Sequence, residues 1–257
     1  MPYLARPEGC RLYHELHGHR GAEPLVLLEG LGGDIPGWRR NIPRLSGELF
    51  VVAYDLRGNG LSDAPDEPMA METFMDDAVA LLDHLGLGSA HLYGQSFGGM
   101  VAQELALAHP DRVRTLILAA THCGGRDVVP SQARVPKDRP YLALYSEAFA
   151  RDHPDHVAED LRVGSENPQK SHARRRQWEA MQGFDACDRL PEIGVPTLVA
   201  HGTEDRTVGV ANARILAERI PWAELVLLEG AGHVYHSERP EKSNGAVLDF
   251  VRRHRRG

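Results

Sequence analysis

The chain has 257 residues, 42% of them apolar and 25% charged, with a net charge of −7. That length suits one large α/β domain, or one with a small insertion, and can bury a substantial core. The acidic balance argues against a general nucleic-acid binder, and no segment approaches the roughly 18 apolar residues of a membrane span. Taken in chain order, short continuously apolar runs at 10–16, 24–28, 49–54, 90–93, 113–120, 197–200 and 225–228 predict strands. Runs of this kind fit strands buried on both faces of a parallel sheet. Helical patterns fall between them at 72–85, 97–108, 212–220 and 241–251, the first with Ala78, Leu81, Leu82 and Leu85 on one face. Alternating strands and helices predict a predominantly parallel α/β fold with right-handed crossovers. The run 10–16 is expected as an antiparallel edge strand.

The alternation breaks between about 121 and 195. A polar, proline-containing loop at 124–140 precedes helical patterns at 141–152, 155–163 and 169–181. The expected organisation is therefore a core of residues 1–121 and 191–257, carrying a helical cap at 122–190. Cys10, Cys123 and Cys187 are an odd, scattered set without a CxxC pair. They argue against a disulfide framework and fit a reducing cytoplasm. The first residues lack the apolar core of a secretory signal. The basic run Arg252-Arg253-His254-Arg255-Arg256 reads as the solvated end of the last helix.

Chemistry concentrates at predicted strand ends, where open α/β sheets place ligand sites. Residues 94–98 read Gly-Gln-Ser-Phe-Gly, between a predicted strand and a predicted helix. G-x-S-x-G there puts Ser96 at the apex of a sharp turn, with flanking glycines that let strand and helix backbones approach. A hydroxyl becomes a competent nucleophile only with a base, an orienter for that base, and donors for the oxyanion. His233, in the glycine-rich segment Gly230-Ala231-Gly232-His233, is the candidate base, with His236 its near rival. Asp205 is the candidate orienter, with Glu204 and Asp188 as alternatives. The chain order is Ser, Asp, His, as in α/β-hydrolases. Backbone N–H groups of Phe97 and of Leu31, in Gly30-Leu31-Gly32-Gly33, are the candidate oxyanion donors.

With these residues in view, the chain resembles the α/β-hydrolase superfamily over most of 10–122 and 190–252. The stretch Asp55-Leu56-Arg57-Gly58-Asn59-Gly60-Leu61-Ser62-Asp63 resembles that superfamily's D-x-R-G-x-G-x-S loop, and 94–99 resembles its elbow. Leu31-Gly32-Gly33 followed by Trp38 looks most like the enol-lactonase and small-ester hydrolase branch. The resemblance implies an α/β-hydrolase fold with a helical cap, acting on a small-molecule ester or lactone without a cofactor. Related chemistries are cleavage of carbon–carbon bonds in vinylogous diketones and cofactor-free peracid formation; a silent ligand-binding member is a further class. Many relatives carry His-Gly before the oxyanion residue, where this chain has Glu29-Gly30. Glu29, Trp38, Met100, His122 and Tyr145 are the candidate substrate-pocket residues. The Asp55–Asp63 loop is expected to be structural, with Asp55 and Arg57 satisfying backbone groups and each other. Arg174-Arg175-Arg176 reads as a solvated helix face. His201 is expected to pack at its strand end, and no residue spacing predicts a metal site.

Overall fold

The computed structural model describes residues 2–255. One eight-stranded sheet forms its centre: β1 (Tyr3–Ala5), β2 (Arg11–His17), β3 (Pro24–Leu28), β4 (Phe50–Tyr54), β5 (Ala90–Gln95), β6 (Val113–Ala119), β7 (Thr197–Gly202) and β8 (Glu224–Leu228). Their spatial order is β1-β2-β4-β3-β5-β6-β7-β8. From β4 onward every pairing is parallel; β1–β2 and β2–β4 are antiparallel. The strand at 11–17 is thus antiparallel as expected, but it is not the edge. The three-residue β1 covers it, with Leu4 opposite Leu12.

The strands are apolar throughout because both faces are covered. In β3, Leu25 and Leu27 face one core while Val26 and Leu28 face the other. One face packs against α2 (Met71–His84), α3 (Phe97–Ala108) and α7 (Ala211–Arg219), through Phe74, Leu81, Val101, Leu105 and Leu216. The other meets α1 (Ile42–Leu45) and α9 (Pro240–Arg253), through Leu45, Val247, Leu248 and Phe250. A short α8 (Tyr235–Glu238) precedes α9. The C-terminal arginines Arg252, Arg253 and Arg255 are exposed, as expected, and each forms a surface ion pair. Arg252 pairs with Glu48, Arg253 with Glu224 and Arg255 with Glu23; Arg256 lies outside the described residues.

Between β6 and β7 the sheet gains no strand. The chain instead forms α4 (Glu147–Asp152), α5 (Pro154–Gly164) and α6 (Ser171–Gln182). α5 is tied to the core by Arg40, whose guanidinium binds Asp160 at 3.0 Å. α6 is tied by Gln177, which donates to the Arg57 carbonyl at 2.7 Å. Cys123 and Cys187 form a disulfide near the two ends of this helical segment, with Cα atoms 4.9 Å apart. This corrects the expectation that the cysteines stay unpaired, and leaves Cys10 as a buried free thiol. Among the described residues no helix is long and apolar enough to cross a membrane.

Candidate active site

Ser96 stands between β5 and α3 with φ 51° and ψ −113°. A side-chain-bearing residue at positive φ is strained, typically by about 1–3 kcal/mol, and persists only where its surroundings enforce it. Here the enforcement is close packing. A Cβ on Gly94 would meet the Gly98 carbonyl and lie 2.7 Å from Gly99 Cα, and one on Gly98 would meet the Leu28 carbonyl. The Ser96 N–H donates to Ala119 at 2.8 Å, and Thr121 Oγ1 donates to the Ser96 carbonyl at 2.7 Å. Strand, turn and helix are therefore pinned around one hydroxyl.

Asp205 follows β7 and His233 follows β8. His233 Nδ1 lies 2.7 Å from Asp205 Oδ2. A carboxylate only accepts, so Nδ1 carries the proton and Nε2 keeps its lone pair. Asp205 Oδ1 accepts the N–H groups of Thr207 and Val208 at 2.8 and 2.9 Å. His201 Nε2 lies 3.0 Å from both Asp205 Oδ2 and the Val208 carbonyl. Burial alone would raise the Asp205 carboxyl, but the two imidazoles beside it hold it well below the usual carboxylate range. His201 thus packs at its strand end as expected and also braces the Asp205 carboxylate. The alternatives Glu204 and Asp188 make no hydrogen bond to His233 among the described residues.

The His233 loop is fixed by a carboxylate that the sequence reading passed over. Buried Glu238 accepts Gly232 N–H at 3.0 Å, Ser146 N–H at 2.7 Å and Ser146 Oγ–H at 3.0 Å. It joins the His233 loop to the start of α4. The rival base, His236, is buried with its ring stacked on Trp38, centroids 4.6 Å apart. Burial pushes its pKa down to about 3, which keeps it neutral.

The turn Gly30–Gly33 closes with Gly33 N–H donating to the Gly30 carbonyl at 3.1 Å. It packs on the elbow, since a Cβ on Gly30 would lie 3.3 Å from Ser96 Cβ. Among the described residues, neither Leu31 N–H nor Phe97 N–H has a hydrogen-bond acceptor. Asn59 holds the turn from behind, its Nδ2 donating to Gly33 O at 2.7 Å. Asp55 accepts Ile35 and Leu61 N–H groups, both at 2.8 Å. Arg57 does not pair with Asp55 as expected. It reaches α2, with Nε 2.9 Å from Asp77 Oδ2. The Asp55–Asp63 loop is a structural clamp on the glycine turn.

The elbow, the glycine turn and the His233 loop border one cavity of about 660 Å³. Ser96, His233, Glu29, Leu31, Met100, His122 and Tyr145 all line it. Ser96 and His233 form no hydrogen bond to each other here; such contacts commonly tighten only when substrate binds. Phe97 contributes backbone at the first turn of α3 while its ring packs on Phe74. Trp38, read as a pocket residue, is 1% exposed and sits behind His236 and Tyr93 rather than on the cavity wall. Arg174 and Trp178 of α6 line the cavity and were not foreseen as pocket residues. Arg174 and Arg175 are exposed, as expected of a solvated face; Arg175 and Arg176 pair with Asp66 at 3.1 Å, and Arg174 also lines the cavity. The visible signal was Trp178, an exposed aromatic residue in a mostly polar helix. Among the described residues no cluster of three or more His, Cys, Asp or Glu could hold a metal.

A mostly parallel sheet with a serine at a strand-to-helix elbow is the architecture of a hydrolase class, and the comparisons agree on the fold. The sequence profile of the α/β hydrolase fold family matches residues 23–153. The RutD protein of Azorhizobium caulinodans, whose designation as a carbamate hydrolase is provisional, is 31% identical over 97% of this chain and 98% of its own. The 3-oxoadipate enol-lactonase 2 of Acinetobacter baylyi is 29% identical, covering 94% of this chain and 93% of its own. The crystal structure of the enol-lactonase from Burkholderia xenovorans superposes with a TM-score of 0.84 at 28% identity, over 98% of this chain and 100% of that one. This chain belongs to the α/β hydrolase fold family.

Proposed function

We propose that the protein hydrolyses a carboxylic ester or lactone of a small molecule through Ser96, His233 and Asp205. The observation that carries this reading is the 2.7 Å His233–Asp205 contact, which leaves Nε2 basic in the cavity that the strained Ser96 borders. The relatives add support, because an enol-lactone is a cyclic ester and two of them are enol-lactonases. Serine at the elbow disfavours the epoxide hydrolase and dehalogenase chemistries, which use aspartate there.

In the first half-reaction His233 Nε2 takes the Ser96 proton as Oγ attacks the carbonyl carbon. The carbonyl π pair moves onto oxygen, where Leu31 and Phe97 N–H groups receive it. The pair then re-forms the carbonyl, the C–O bond to the leaving alcohol breaks, and His233 returns the proton to that alcohol. Water repeats the sequence on the acyl-enzyme and releases the acid. For a lactone the alcohol stays tethered and must swing aside before water attacks. Asp205 keeps the imidazole in its tautomer and stabilises the imidazolium. The helices at 122–190 act as the cap that selects the acyl and alcohol groups, since Tyr145, Arg174 and Trp178 of that segment line the cavity.

A panel of chromogenic esters of increasing acyl length, run beside lactones, tests the reading. Turnover of at least one class, abolished in Ser96→Ala, is expected. Absence of turnover on all of them, with vinylogous diketones cleaved instead, would replace it with carbon–carbon hydrolysis.

A further inference from the structure

Glu29 directly follows β3, immediately before the glycine turn. Its side chain folds back over that turn. Oε1 accepts the Gly30 N–H at 3.0 Å. A Cβ on Gly33 would collide with its Cγ, and one on Gly37 would lie 3.2 Å from Oε2. Two glycines thus leave the niche this carboxyl fills. Glu29 is 7% exposed, and Oε2 is buried without a hydrogen-bond partner among the described residues. The residue also lines the cavity that holds Ser96.

Its electrostatic surroundings are one-sided. Asp34 and Asp55 are the carboxyls that act on it most; the His233 imidazole and the Tyr93 phenol also lie within its field. No arginine or lysine pairs with it among the described residues. Burial favours the neutral acid, the Gly30 N–H opposes that, Asp34 and Asp55 reinforce it, and His233 opposes it. The balance pushes the carboxyl up to about 7.

We propose that Glu29 is a positioning residue whose proton controls the oxyanion turn: the neutral acid holds Gly30 and leaves the hole receptive, and the carboxylate slows acyl transfer. The inference rests on the reading of Ser96 as nucleophile. One effect follows from ionisation, in which the proton leaves to solvent and no covalent bond changes: a negative charge arises two residues before the Leu31 N–H, near an oxygen that must itself become negative.

The test is the pH dependence of kcat/KM on p-nitrophenyl acetate, beside the rate at which a fluorophosphonate labels Ser96. Wild type is expected to lose activity on the acid side as His233 protonates, and again on the alkaline side as Glu29 ionises. Glu29→Gln keeps an acceptor for Gly30 but has no proton to lose. Relative to wild type, its ratio of kcat/KM at about pH 9 to that at about pH 6 should rise about tenfold. Glu29→Ala leaves the Gly30 N–H unpaired and should lower kcat at every pH without an alkaline fall. Wild-type activity that holds level through about pH 9, or an alkaline fall unchanged in Glu29→Gln, overturns the proposal while labelling of Ser96 still stands. Failure of Ser96 to label at any pH would instead remove the nucleophile on which the proposal rests.

Discussion

Asp205→Asn is the substitution whose consequence follows most directly from the hydrogen bonds. Oδ1 accepts two backbone N–H groups, from Thr207 and Val208. In the variant that site must keep the amide oxygen, because an NH₂ group there would face two donors. The amide nitrogen is therefore forced into the Oδ2 position, 2.7 Å from His233 Nδ1. It donates, so Nδ1 must accept, and the imidazole proton moves to Nε2. The lone pair that would deprotonate Ser96 is lost, and so is the charge that stabilises the imidazolium. The expected loss is about a thousandfold or more in kcat, roughly 4 kcal/mol or more of barrier. KM should change little, because Asp205 does not line the Ser96 cavity. Steady-state hydrolysis of a chromogenic ester, with circular dichroism to confirm folding, measures it. A folded variant that lost less than about tenfold would refute the tautomer argument.

Other consequences are accessible to simple measurements. The Glu29 carboxyl titrates at about 7 in the fold against an ordinary 4.5, so folding favours its protonated form and stability is lost as pH rises through that window. Glu29→Gln should therefore be more stable than wild type above about pH 7, by up to about 3 kcal/mol, with the gap closing below about pH 4.5. Urea unfolding at two pH values checks this, and a gap that is larger at acid pH would contradict it. Gly98→Ala drives a methyl into the Leu28 carbonyl and to 2.7 Å from that of Glu29. It should cost about 2 kcal/mol or more and slow Ser96 labelling; a thermal midpoint equal to wild type would count against the elbow packing. The Cys123–Cys187 bridge spans 64 residues. Reducing it should lower stability by about 2–4 kcal/mol. Thiol titration of the denatured, unreduced protein should find Cys10 alone, and three thiols would show that the pair is not bonded.

Much of this arrangement was legible in the sequence where a local pattern determines it. The span 97–108 coincides with α3 because the elbow starts that helix abruptly and Pro110 follows its end. The strands were legible because burial on both faces makes them continuously apolar. β1 was not, because Tyr3-Leu4-Ala5 is too short to show a period. Consequently β2 was read as an edge. Pairings made only by the tertiary fold were equally hidden. The cysteines are 64 residues apart, and Arg57 meets Asp77 across a turn and a helix face. Within the site, Ser96, Asp205 and His233 were legible because each follows a strand in a glycine-marked turn. Glu238 was not, since nothing local marks an acidic residue in α8 as the acceptor for the His233 loop. Trp38 misled for the opposite reason. Its proximity in sequence to the glycine turn suggested the pocket, but its ring points into the core beneath His236.

The account turns on Ser96 as a covalent nucleophile. Fluorophosphonate treatment of the native protein, followed by peptide mapping in the mass spectrometer, addresses that claim without knowledge of the substrate. One adduct is expected, on the peptide containing Ser96, absent in Ser96→Ala and much slower to form in His233→Ala. A native protein that takes no adduct, or takes it on another residue, would contradict the account.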